Sequence, residues 1–241
     1  MTLFATLGET LLSAVRDNCY FSLILTVGGY LLALYLQKRF KSTLFNPVVI
    51  ALCLTILGLK LFDVDYETYR KDAAALTYLV TPTTICLAVP LYRQFELVKR
   101  NWLAILAACV VGTFVNAILV WLCARAFQME FAEYMTLLSK SITMAIGVGI
   151  TQEFGGYVPI TCGIITIAGV TGNLSGIFFL KRLNILSPMA QGLAIGVSSH
   201  AFGTARALEI GETEGAFSGL AIALTGVCTV LVAPLAAAMP V

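Results

Sequence analysis

Along most of the chain, apolar residues run on for roughly 20 positions at a time, the length a helix needs to cross a bilayer. Six such runs stand out, at 19–36, 44–61, 73–91, 102–126, 158–180 and 216–239. Each reads as a transmembrane helix. Short polar segments separate them, among them DVDYETYRKD after the second and FQMEFAEYM after the fourth. Residues 1–17 read as a mildly amphipathic interfacial helix ending at Arg16-Asp17.

Two further stretches are apolar but interrupted. LLSKSITMAIGVGITQEF (137–154) carries Ser139, Lys140, Ser141 and Thr143 at one end and Gly147, Gly149 and Gln152 at the other. The second begins near Gln191 and holds the chain's single histidine, His200, together with Arg206 and Glu209. Their polar turns, at 139–141 and 197–199, lie 58 positions apart. A glycine-bearing stretch and then one plain span follow each. Hairpin plus span, repeated from opposite sides, is the pattern of an inverted-repeat transporter, which binds its substrate near the midplane. The expected fold is therefore all-α and polytopic, with about six full spans and two re-entrant or discontinuous hairpins. The N-terminal spans (1–135) are expected to provide scaffold and dimerisation helices. Residues 136–241 are expected to form the substrate-binding repeat.

Composition agrees. The 241 residues are 59% hydrophobic and 12% charged, with mean hydropathy +0.91, against about 25% charged in a soluble domain. A net charge of +2 without basic runs argues against a nucleic-acid partner. The beginning of the chain lacks the basic region of a signal peptide, so the first span is expected to serve as the membrane anchor. Basic residues at 38–41, 93–100 and 181–182 fall on one side if 137–155 is a hairpin opening outwards. That topology places both termini outside. The seven cysteines are dispersed and read as small apolar residues buried in helices; no metal site or cofactor is expected. Motifs of hydrolases, metalloproteases and P-loop enzymes are absent, so no enzyme activity is expected.

Candidate chemistry concentrates in the interrupted segments. A charge at the bilayer centre costs about 2.5–3.5 kcal/mol and commonly marks a pathway. Arg206 reads either as an ion pair with Glu209 on one helix face or as an anion-binding cation. In the second reading Gly203 breaks the helix, Thr204 caps a new one, and Arg206 lies in its first turn. Lys140 either snorkels to the surface or supplies the second cation of that site. Ser141, Thr143, Ser199, Thr204 and Thr83 are candidate ligands for a hydroxyl or keto oxygen. His200 is a candidate ligand and, with Glu209, a candidate proton carrier. Pro82 and Pro90 mark expected breaks in the third span. GAFSG at 215–219 reads as a tight helix-packing face.

The segments NPVVIA (46–51), LAVPLYRQ (87–94), SKSIT (139–143), GLAIGVSSHAFGTARALE (192–209) and GETEGAFSGLAIAL (211–224) together resemble the LrgB/CidB/YohK membrane-protein family, over residues 20–240. The family pattern reads PKS where this chain has Ser139-Lys140-Ser141, and GPATVALA where it has TPTTICLA. The resemblance implies a bacterial cytoplasmic-membrane protein, described first as antiholin-like and acting on murein hydrolase activity with a small holin-like LrgA/CidA-type partner. A plastid relative carries glycolate and glycerate, and bacterial relatives are linked to pyruvate uptake. The combined expectation is a proton-coupled carrier of small monocarboxylates working by alternating access, with a homodimer as the expected assembly. The rival expectation is an antiholin-like modulator of lysis without transport of its own.

Overall fold

A computed structural model describes residues 20–40, 47–86 and 88–241; the interfacial helix expected at 1–17 lies outside them. No strand occurs among the described residues. Five segments are long and apolar enough to cross a membrane: Phe21–Arg39, Ala74–Arg93, Trp102–Ala126, Val158–Arg182 and Glu212–Ala237. Pro47–Leu61 and Tyr66–Asp72, bent by 120°, make a sixth if counted together. The protein is a polytopic all-α membrane protein.

The chain forms two compact units, 1–86 and 87–241. This division falls well before residue 135, because helix 102–127 packs with the C-terminal elements. In the first unit, α1 (Phe21–Phe40) packs on α2 (Pro47–Leu61) and also meets the short α3 (Tyr66–Asp72). Asp65 caps α3 by accepting from the amides of Glu67 and Thr68 and from the Thr68 hydroxyl. Those donors, the hydroxyl foremost, hold its carboxyl below the ordinary carboxylate range. Ser22 donates to Asp72 at 3.1 Å, and Thr26 shares a 3.0 Å bond with the Tyr69 hydroxyl. The expected break at Pro82 does not occur: α4 (Ala74–Cys86) runs through it. Proline costs that helix one hydrogen bond. Beside it the Thr83 hydroxyl donates to the Leu79 carbonyl at 2.7 Å.

The second unit opens with α5 (Ala88–Arg93) and α6 (Phe95–Arg100). Pro90 lies within α5 and does not end it, since the helix continues to Arg93. Three long helices follow at intervals: α7 (Trp102–Phe127), α10 (Val158–Arg182) and α12 (Glu212–Ala237). Between them lie α8 (Phe131–Leu138), a 3-10 turn (Ser139–Ser141), α9 (Met144–Glu153) and α11 (Pro188–Ile210).

These intervening elements are helical hairpins. In the first, a Cβ on Gly156 would lie 3.1 Å from the Ala132 carbonyl, and one on Gly147 would lie 3.3 Å from Ser139 Cβ. The Tyr157 amide donates to Thr136 Oγ1 at 2.8 Å. Residues 132 and 156 are therefore level, as are 139 and 147, and the chain turns back at 139–143. The second hairpin is hidden in what looks like one helix. Inside α11, His200 is non-helical, at φ 40° and ψ −136°. A Cβ on Gly203 would lie 3.1 Å from the Ile195 carbonyl. In a straight helix those residues stand about 12 Å apart. Against α12, Gly192 meets Glu214 while Leu208 meets Gly215. The leg 188–199 thus runs up α12 and the leg 201–210 runs back down it. The break is at His200 rather than at Gly203, which packs within the returning leg.

The hairpins come in from opposite ends of the three long helices. Along α10, Thr161 meets Thr136 and Thr151 of the first hairpin, whereas Gly172 and Leu180 meet Ser199, Ile195 and Ala207 of the second. Along α12, Gly215 and Ser218 meet the second hairpin, and Gly226 and Ala236 meet Ile146 and Tyr134 of the first. Helix α7 repeats the order, with Cys109 and Gly112 near Leu193 and Val197, then Val120 and Ala124 near Tyr134 and Met135. A 25-residue helix such as α10 is about 37 Å long, enough to cross the roughly 30 Å hydrocarbon layer. Both tips therefore stop near mid-membrane. The inverted repeat expected from sequence is present in the fold. All six described cysteines are free, but only Cys109 is buried. Cys53, Cys86 and Cys123 lie exposed on the surface of the helices.

Candidate functional site: two hairpin tips in one cavity

The first tip is organised around a single carboxamide. Asn116, halfway along α7, donates from Nδ2 to the Leu138 carbonyl at 3.1 Å. That carbonyl lies at the junction of α8 and the 3-10 turn that follows it. Asn116 Oδ1 accepts from the Ser141 hydroxyl at 3.4 Å, and Ser141 in turn accepts from Lys140 Nζ at 3.0 Å. Lys140 is thus held at the tip and half-buried; it does not snorkel to an outer surface. Thr143 stands at the N-cap position of α9 without bonding its amides through its side chain. The first-turn donors of α9 are left to other acceptors, beside an ammonium. That combination favours an anion.

Lys140 lines a cavity of about 540 Å³ with Thr171, Gly172, Ser175, Ser198 and Ser199. The Ser198 and Ser199 hydroxyls lie 2.9 Å apart. The cavity continues between α10 and the first leg of α11 as far as Leu183 and Ile185, toward the end where the second hairpin opens. One cation thus sits at the inner end of a passage walled by hydroxyls and apolar side chains. Such a site suits a small anion carrying further oxygen atoms.

The other predicted site residues divide. Ser141 and Ser199 belong to this site. Arg206 does not line the cavity; it pairs with Glu209 one turn on, and both are solvent-accessible. The predicted two-cation site therefore reduces to Lys140. Arg206 lies in the second turn of the returning leg, because that leg begins at 201. For the same reason Thr204 is no N-cap. Its hydroxyl donates to the His200 carbonyl at 3.1 Å and meets Ser218 at 2.7 Å, facing α12. His200 is 3% exposed. Its Nε2 lies 3.0 Å from the Ile165 carbonyl, so that nitrogen carries the proton. Its ring packs over Gly169 and edge-on to Phe202. Thr83 belongs to the first unit. Among the described residues no cluster of His, Cys, Asp or Glu is arranged to hold a metal ion.

Sequence reasoning missed Asn116 and its counterpart Asn173. The latter, in α10, donates to the Phe202 carbonyl of the second hairpin at 2.7 Å. Each is a carboxamide in the middle of an otherwise apolar span, and they stand 57 positions apart, close to the 58 that separates the polar turns. Polar residues inside spans bond across helices, so that spacing was the available signal.

Residues 26–239 match the LrgB-like family. The antiholin-like protein LrgB of Bacillus mycoides (strain KBAB4) is 33% identical over 217 residues, covering 90% of this chain and 94% of that protein. Proteins of the same name from Bacillus cereus (strain B4264) and Bacillus anthracis (strain CDC 684 / NRRL 3495) are 34% identical with the same coverage. No solved structure matches the chain. With its family-wide match reaching across both hairpins and all three long helices, the chain belongs to the LrgB-like family.

Proposed function

We propose that this chain is an antiholin-like membrane protein whose molecular work is to bind a small monocarboxylate between the hairpin tips and pass it across the membrane. The two parts have different support. The antiholin-like role rests on the names of the relatives, which say nothing of a cargo. The carboxylate role rests on one observation: Lys140, a cation at mid-membrane depth, ends a passage lined by Ser198, Ser199, Thr171 and Ser175. An ammonium there is costly unless an anion or a hydroxyl network offsets it. Glycolate, glycerate and pyruvate match the site in charge and in their additional oxygen.

Sidedness follows from charge. Arg93, Lys99, Arg100, Lys181 and Arg182 lie at the end where the second hairpin opens, while Glu130, Glu133 and Glu153 lie at the other, with Arg125. The positive-inside rule then makes the first end cytoplasmic, in the bacterial cytoplasmic membrane. The cavity opens to that side, so the conformation is inward-facing. In alternating access the second unit would move as a block, since glycine contacts tie its hairpins to α10 and α12. This differs from a scaffold containing 102–126. His200, at the tip, is the better placed candidate for proton coupling; Glu209 is engaged by Arg206 at the surface. A homodimer and a holin-like partner subunit complete the proposal.

The test uses proteoliposomes containing only this protein. Labelled pyruvate or glycolate should enter saturably, and Lys140→Met should abolish entry. A second reading, favoured by the relatives' names, is modulation of lysis without transport. In that case wild-type vesicles take up neither acid, and Lys140→Met still corrects the lysis phenotype of cells lacking the gene.

A further inference from the structure

The two mid-span asparagines occupy corresponding places in the repeat, yet their surroundings differ. Asn173 binds a carbonyl of the second hairpin, the one that does not carry Lys140. Asn116 binds the Leu138 carbonyl and, through its carboxamide oxygen, the Ser141 hydroxyl that accepts a hydrogen bond from Lys140. Its two functions are chemically linked. The amide group donates on one side and accepts on the other, so the end of α8 and the side chain of Ser141 are set by one planar unit. Among the described residues, Asn116 and Lys140 are the side chains bonded to Ser141 Oγ.

We propose that Asn116 is a positioning residue for the anion site: it fixes Ser141, and through Ser141 it aims the Lys140 ammonium into the cavity between the tips. The inference rests on the carboxylate reading for its ligand but not for its geometry. With Asn116 in place, one ammonium hydrogen is committed to Ser141 and the remaining two are available to a ligand. Without it, the Leu138 carbonyl loses its side-chain donor, Ser141 keeps only Lys140 as a side-chain partner, and the ammonium is no longer held at one place. A purely structural asparagine would lower stability and leave Lys140 chemistry alone.

The experiment measures the rate at which an amine-acylating reagent modifies Lys140 in the purified full-length protein, read by mass spectrometry, alongside pyruvate affinity. Asn116→Ala should change the Lys140 rate and weaken pyruvate binding, each by about tenfold. Asn173→Ala should leave the Lys140 rate within about twofold of wild type, although it too removes a hairpin bond. Should Asn116→Ala fail to fold, Asn116→Asp keeps the shape and brings a carboxylate beside the ammonium. It should slow acylation and abolish pyruvate binding. A Lys140 rate unaltered by the folded Asn116 variant, or altered equally by Asn173→Ala, overturns the proposal. If wild type binds no pyruvate while the Lys140 rate still depends on Asn116, the carboxylate reading fails and the positioning role stands.

Discussion

The first hairpin turns over five residues and the second turns at one. Ser139 to Thr143 form a 3-10 turn and an extended link with polar side chains. His200 alone reverses the second, in a backbone region that favours glycine. The seats differ too. The second hairpin lies against Gly169 and Gly172 of α10, where a Cβ would strike it, and its own Gly192 and Gly196 lie so close to α12 that a Cβ on either would strike that helix. Side-chain hydrogen bonds hold both, through Asn116, Thr136 and Thr161 at the first and through Asn173, His200 and Thr204 at the second, so the glycine seat is what sets the second apart. The lesson is a division of labour between halves of one repeat. The roomier polar tip brings the charge, and the glycine-seated tip forms a fixed wall.

That comparison breaks most readily at the charge. Lys140→Met should weaken carboxylate binding by about a hundredfold, the order of effect for deleting one partner of a desolvated charge pair. Binding at the wild-type level would assign the anion to another group. The next largest effect belongs to the glycine seat. A Cβ at Gly172 would occupy the place of the Ser199 hydroxyl, so Gly172→Ala should destabilise by about 1–3 kcal/mol. Gly163 has open space around it, so Gly163→Ala should stabilise by up to about 1 kcal/mol. Thermal unfolding in detergent reads both, and equal shifts would remove the argument from close packing.

Smaller still is the strain at His200. His200→Ala and His200→Gly both lose the ring and its bond to Ile165. Only glycine relaxes the backbone, so the glycine variant should be the more stable by about 1 kcal/mol. The reverse order would mean that the turn is unstrained. Arg206→Gln should cost the least, under about 1 kcal/mol, because the pair with Glu209 is solvent-accessible. Carboxylate affinity should not change. A tenfold loss would restore Arg206 to the site from which its present pairing removes it.

Much of this architecture was legible in the chain. Long apolar runs gave the spans, and the two polar interruptions 58 positions apart gave the hairpins. What sequence could not supply was the position of the second turn. Gly203 is the conventional helix breaker, yet the chain reverses at His200, because Gly203 serves as a packing surface for Ile195. Moving the turn by three residues also moves Arg206 out of a first helical turn and onto the surface beside Glu209. Pro82 misled for a related reason: a proline in a helix removes one bond, and that alone does not end the helix. Asn116 was overlooked because a single amide in an apolar span carries no motif; its meaning comes from the carbonyl and hydroxyl it meets.

The most direct measurement is sided labelling of single cysteines in a cysteine-free background, using a membrane-impermeant thiol reagent on sealed right-side-out and inside-out vesicles. The account predicts that Ser187→Cys, at the opening of the second hairpin, and Ser198→Cys, in the cavity, react from the cytoplasmic face. Gln152→Cys, at the opening of the first hairpin, should react only from the opposite face. Labelling of Ser187→Cys and Gln152→Cys from the same face would contradict the opposed hairpins, and with them the meeting of the two tips at Lys140.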